Sequence, residues 1–175
     1  MTTATMTQDE PIFRSGHEAI RYAYNYNSQQ YPITLMGRMM RGMGIGSGRG
    51  LYGLDGAAIA GSVKRVVESL PHDHRYAIVC RYAATEDEFL KAVYELLGAA
   101  TASIGTGVTP TRVILSLIGR YYGRPVKLAS LCDTYSMDAA TMTRRWQRVR
   151  ERMRALESQA MQAADDALVV AGLVE

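Results

Sequence analysis

Met142, Trp146, Val149, Met153 and Leu156 recur at steps of 4, 3, 4 and 3. Only an α-helix gathers that spacing onto one face. The remaining positions of the same stretch are dense in arginine: Arg144, Arg145, Arg148, Arg150, Arg152 and Arg154. Just upstream, Leu128, Leu131 and Cys132 fit the inner face of a shorter helix. Asp133-Thr134-Tyr135-Ser136 is expected to turn the chain, and Ser136 or Asp138 to cap the helix that follows. Val126–Arg154 therefore reads as a helix-turn-helix, with one face held by a core and the other open to phosphates and base edges. The expected fold is all-α: a multi-helix domain with this helix-turn-helix and long basic helix near its C-terminus.

Charge matters by place more than by sum. The formal net charge of the 175-residue chain is only +3. Residues 141–154 carry six arginines and one glutamate, a local +5, while residues 155–175 carry four acids and no lysine or arginine, a local −4. A solvated polar face would explain scattered charge. Arginine at this density without lysine favours phosphate and guanine recognition, because the planar guanidinium fork binds both in a bidentate way.

The rest of the chain divides at a glycine-rich segment. Residues 1–11 are polar and loosely attached by pattern. Ser15 and Glu18 have capping-box spacing, and Ala19, Ile20, Ala23 and Tyr24 follow on one helical face. Tyr22, Tyr24, Tyr26 and Tyr31 alternate with amides. Such aromatics stack on single-stranded bases, or cover a core with their hydroxyls in water; the second fits an ordinary amphipathic helix. Residues 32–41 are expected to form a short apolar helix. Gly42–Gly56 then holds seven glycines in fifteen residues. No strand precedes it and no lysine-serine or lysine-threonine pair ends it, so it is a hinge or contact loop and not a nucleotide cradle. This gives an N-terminal part over 1–56 and a helical DNA-binding domain over 57–175.

Within the second part, Asp55 is expected to cap a helix over 57–70 bearing Ile59, Val63, Val66, Val67 and Leu70. Pro71 stops it, and His72-Asp73-His74 forms a turn. Tyr76, Ile78, Val79 and Tyr82 face inward on the next helix. Thr85 caps a third, with Glu86, Asp87 and Glu88 in its first turn and Phe89, Val93, Leu96 and Leu97 inside. Gly98–Thr109 is expected to be a loop. Pro110 opens a helix with Val113, Ile114, Leu117 and Ile118 inside. The apolar face of the last helix runs on from Leu156 to Leu168.

No catalytic constellation emerges: no nucleophile with a base and an orienting acid, no isolated carboxylate pair, and no metal-ligand spacing. His72 and His74 lack companions at zinc-finger intervals. No enzyme activity, metal or cofactor is expected. Cys80 and Cys132 read as small core residues of a reducing compartment. No apolar run is long enough to span a membrane, and no secretory signal is visible, so a cytoplasmic protein is expected.

The helix ending in SLP, followed by RYAIVCRYA, resembles the DNA-binding region 4 of bacterial sigma factors. The segment LASLCDTYSMDAATMTRRWQRVRERMRALESQAMQAADDALVVAGLVE is similar to the C-terminal half of lambdoid-type phage Q antitermination proteins. The resemblance spans roughly residues 57–175. It implies a transcription antitermination factor in the bacterial host cytoplasm. Such a protein binds double-stranded DNA near a late promoter and modifies RNA polymerase to read through terminators. Carried over by position, Thr141, Thr143, Arg144, Arg145 and Arg148 would face DNA. One branch of that family carries a zinc-binding insertion that two cysteines cannot build, so the resemblance is to the zinc-free branch. The alternative is a dimeric helix-turn-helix regulator, paired through the apolar face from Leu156 to Leu168. A third reading is an interaction protein whose arginine face meets an acidic partner.

Overall fold

The computed structural model describes residues 12–29, 53–105 and 109–175. Among these the chain is all-α, with eight helices and no strand. The helices are α1 (Gly16–Gln29), α2 (Gly53–Ser69), α3 (His72–Tyr82), α4 (Glu86–Glu95), α5 (Leu97–Ile104), α6 (Thr111–Tyr121), α7 (Leu128–Tyr135) and α8 (Ala139–Val170). The apolar helix expected over 32–41 and most of the glycine-rich segment lie outside the described residues.

Two compact units form, and their boundary differs from the expected division at residue 56. Among the described residues, one unit combines those up to Val66 with Ala164–Glu175, and the other comprises those within Val67–Ala163.

In the first unit, α1 starts as its sequence dictates. The Ser15 hydroxyl accepts from the Glu18 amide at 3.3 Å. The Glu18 carboxylate reaches back one residue further than a capping box requires, to the Arg14 amide at 3.1 Å. Asp165 accepts from the Gly16 amide at 2.8 Å, so a carboxylate sits on the positive end of α1. Ala19, Ile20 and Ala23 are fully buried, as their spacing predicts. Tyr22 packs between Phe13 and Tyr26, with ring centroids 5.3 and 5.4 Å away. Lys64 lies over Tyr24, 5.4 Å from the centroid. These tyrosine rings serve packing. The Leu173 carbonyl accepts from the Phe13 amide at 3.0 Å, and Phe13 and Val174 form an isolated parallel bridge, both buried.

On α2, Val63 and Val67 are buried while Ile59, Val66 and Leu70 are half-buried. The helix begins at Gly53, which places Asp55 inside its first turn and not at the cap.

The second unit is a helical cluster in which α3 packs on α4, α4 on α6, and α5 on both α4 and α6. Its interior holds Ile78, Phe89, Val93, Leu96, Ile104, Val113, Ile114, Leu117, Ile118, Met142, Val149, Met153 and Leu156. Two expected connections are helical instead. Only Leu70 and Pro71 separate α2 from α3, so His72, Asp73 and His74 form the first turn of α3. Proline is favourable there, since its missing N–H and fixed φ suit the edge of a helix. Residues expected to loop after Gly98 form α5. Its alanines favour helix, and the hydroxyls of Thr101 and Ser103 bond back to the carbonyls of Leu97 and Ala100.

Thr85 caps α4 as expected, its hydroxyl accepting from the Glu88 amide at 3.3 Å. Glu157 ties α8 to this cluster. It accepts from Arg81 Nε and from the Tyr121 hydroxyl, each at 2.6 Å. Burial, reinforced by the bond to Glu157, pushes the Tyr121 phenol up to about 12.

Candidate nucleic-acid interface

The interface begins with a turn. α7 continues through Tyr135, so Asp133, Thr134 and Tyr135 are helical and the turn is Ser136–Asp138. Ser136 takes a left-handed conformation, φ 49 and ψ 45. Its amide and that of Met137 both donate to the Cys132 carbonyl. This closes α7 as glycine usually does in a Schellman motif. Asp138 is the cap of α8, its carboxylate accepting from the Thr141 amide at 3.0 Å. Leu128, Leu131 and Cys132 are the inward positions of α7, each half-buried.

Arg120 secures the approach to this turn. Its guanidinium lies 5.2 Å from the centre of the Trp146 ring and donates to the Val126 carbonyl. One cation thus fixes the α6–α7 connection against α8.

The side chains of α8 sort into three lines. Thr141, Arg145, Arg148 and Arg152 form one flank at steps of 4, 3 and 4, and Thr143, Arg150 and Arg154 the other at steps of 7 and 4. Ala140, Arg144, Gln147 and Glu151 run along the middle, opposite buried Met142 and Val149.

The first flank is partly spoken for by the protein. Arg148 donates to the Ile104 carbonyl at 2.7 Å. That carbonyl ends α5, where unpaired acceptors and a partial negative charge attract a cation. Arg145 is half-buried and donates to the Met137 sulfur at 3.4 Å. Thr141 is half-buried, and its hydroxyl accepts from Arg144 at 3.3 Å.

Arg148 and Arg152 of the first flank are exposed, as are the other two lines. Thr143, Arg144, Gln147, Arg150 and Arg154 are all exposed. Among the described residues, Arg144, Arg150, Arg152 and Arg154 enter no ion pair. The Thr143 hydroxyl bonds back to the Ala139 carbonyl at 2.9 Å, which leaves its methyl as the group to present. Arg144 is held along the helix by the Ala140 carbonyl and the Thr141 hydroxyl, both at 3.3 Å.

Of the five residues expected to face DNA, the structure leaves Thr143, Arg144 and Arg148 exposed. It gives Arg145 and Arg148 partners inside the protein, and makes Thr141 the support of Arg144. Gln147 and Arg150, not among the five, are exposed on the same helix. The signal for Gln147 was available in its position one turn after Arg144, away from the apolar stripe.

Among the described residues, no group of His, Cys, Asp or Glu is arranged to hold a metal ion. No described helix is long and apolar enough to cross a membrane. The chain matches no family model and no curated protein.

Proposed function

We propose that the chain is a DNA-binding transcription factor of the antiterminator type, acting in the bacterial cytoplasm. The observation that supports this most is the exposed row Thr143, Arg144, Gln147, Arg150 and Arg154 on a capped helix that follows a tight turn. Cations that enter no ion pair with the protein's own acids are free to neutralise phosphates. Helix α8 enters the major groove, with α7 and Arg120 setting its angle of approach. The resemblance to phage Q proteins supplies the second partner, RNA polymerase, and the outcome, read-through of terminators. The chain performs no catalytic step in this reading.

A dimeric regulator would need a different pairing surface from the one first expected. Leu156, Ala160, Ala164 and Leu168 are already buried within the chain.

Two experiments test the proposal. Binding of the full chain to duplex DNA is measured over graded salt. Arg150→Ala and Arg154→Ala should each lower the salt slope by about 1, as loss of one phosphate contact does. Read-through is measured with purified polymerase on templates carrying the gene's upstream region. DNA binding without any gain in read-through would leave a DNA-binding regulator and remove the antitermination role. No DNA binding at moderate salt would point to an acidic protein partner for the arginine face.

A further inference from the structure

The middle line of α8 carries two side chains of complementary reading chemistry one turn apart. Arg144 is exposed, and its guanidinium is braced by the Thr141 hydroxyl and the Ala140 carbonyl. Gln147 is exposed at the next turn and has no hydrogen bond or ion pair among the described residues. Thr143 and Ala140 lie beside them, presenting a methyl each, since the Thr143 hydroxyl is turned back to Ala139. The exposed cations Arg150, Arg152 and Arg154 follow on the same helix, toward both flanks.

In the major groove, arginine pairs bidentately with guanine, glutamine pairs bidentately with adenine, and methyl groups contact the thymine methyl. Residues three apart on a helix lie about 5–6 Å from each other. Base pairs stack at about 3.4 Å, so the two side chains reach base pairs one or two steps apart.

Resting on the reading of α8 as a DNA-binding helix, we infer that Gln147 is a specificity determinant. It reads an A·T pair within two steps of a G·C pair read by Arg144. Thr141 is a positioning residue: it holds the arginine fork and touches no base. Arg145 and Arg148, despite their charge, take no part in choosing sequence, because their guanidinium groups are engaged with Met137 and Ile104.

The test is selection of bound sequences from a randomised duplex library by the full-length wild type, Gln147→Ala and Gln147→Glu. Circular dichroism and thermal melting verify that each variant folds. Wild type should return a motif holding G·C and A·T at the stated spacing. Gln147→Ala should lose the preference at the A·T position alone, a fall in discrimination of roughly 5- to 150-fold. Gln147→Glu should exchange that preference for cytosine, whose amino group donates to a carboxylate. A purely structural role for residue 147 could not produce such an exchange. The same motif from all three proteins would overturn the inference, as would binding by wild type with no sequence preference; both leave DNA binding intact. Failure of wild type to bind duplex DNA would overturn the inference together with the functional reading beneath it.

Discussion

The Arg148 guanidinium donates to the Ile104 carbonyl at 2.7 Å, closing the C-terminal end of α5 from a helix 44 positions away in sequence. An arginine expected from sequence to face DNA therefore also fastens the fold. Arg144, four positions earlier, is equally exposed but bonded only within its own helix.

These two arginines should separate cleanly on mutation. Arg148→Ala should lower unfolding free energy by about 1 kcal/mol, the usual net value of such a bond near the surface. Its sequence preference in DNA binding should be unchanged. Arg144→Ala should leave stability within about 0.5 kcal/mol and weaken DNA binding by about 1–3 kcal/mol. Denaturant melts paired with binding titrations distinguish the two. An interchange of the two effects would sink the assignment.

Gly16 should resist substitution. A Cβ there would run into the Asp165 carboxylate and crowd Leu168. Gly16→Ala must therefore break the bond to Asp165 or shift α1, at about 1–3 kcal/mol. Asp165→Ala in the Gly16→Ala background should recover part of that loss, since the collision disappears. Additive losses in the double variant would argue against this cause.

Stability should decline mildly as pH rises past neutrality. His72 bonds Asp73 at 3.2 Å and Glu95 at 3.1 Å. The bond to Asp73, then that to Glu95, raises the imidazole above its ordinary 6.5. A raised folded value means the stabilising contribution is complete below 6.5 and fades as pH climbs through the folded value. Thermal melts from pH 6 to pH 8 (a window spanning the ordinary histidine value) should show a small fall. Glu95→Gln should flatten it, and an unchanged slope in that variant would place the pH dependence elsewhere.

The two thiols should react in sequence. Cys80 is buried in α3, and burial pushes its thiol up to about 12. Cys132 lies half-buried on α7. A disulfide reagent at pH 8 should modify Cys132 first and Cys80 only when the protein is unfolded. Simultaneous modification of both in native protein would show that α3 opens readily.

Local chemistry in this chain was legible in its sequence. Ser15, Thr85 and Asp138 each accept from the amide three residues on, as a capping side chain must, because that bond depends only on its immediate neighbours. The stripes on α6 and α8 were legible because burial repeats with the helical period. Misreadings came where a residue type carries two meanings. The small residues of α5 signalled a loop, yet Ala99, Ala100 and Ala102 favour helix and the hydroxyls satisfy themselves. Ser136 turns the chain later than Asp133 suggested, since the left-handed residue that closes α7 is a serine, where glycine is usual. The partner of Arg148 could not be read at all. Nothing in an arginine's own neighbourhood announces that a carbonyl on another helix will claim it.

Unit one has a consequence for how the chain is made. Gly16 and Asp165 meet across 149 positions, and Phe13 meets Leu173 across a similar span. At roughly 5–20 residues per second, synthesis leaves the first of each pair waiting about 7–30 s for the second. Throughout that interval α1 lacks the carboxylate at its positive end, and its Phe13 neighbourhood lacks its partners. The second unit, contained in Val67–Ala163, is complete in sequence earlier. The order of emergence therefore makes the helix-turn-helix unit the first to mature, and leaves Phe13 and Gly16, made before it, among the last to be fixed.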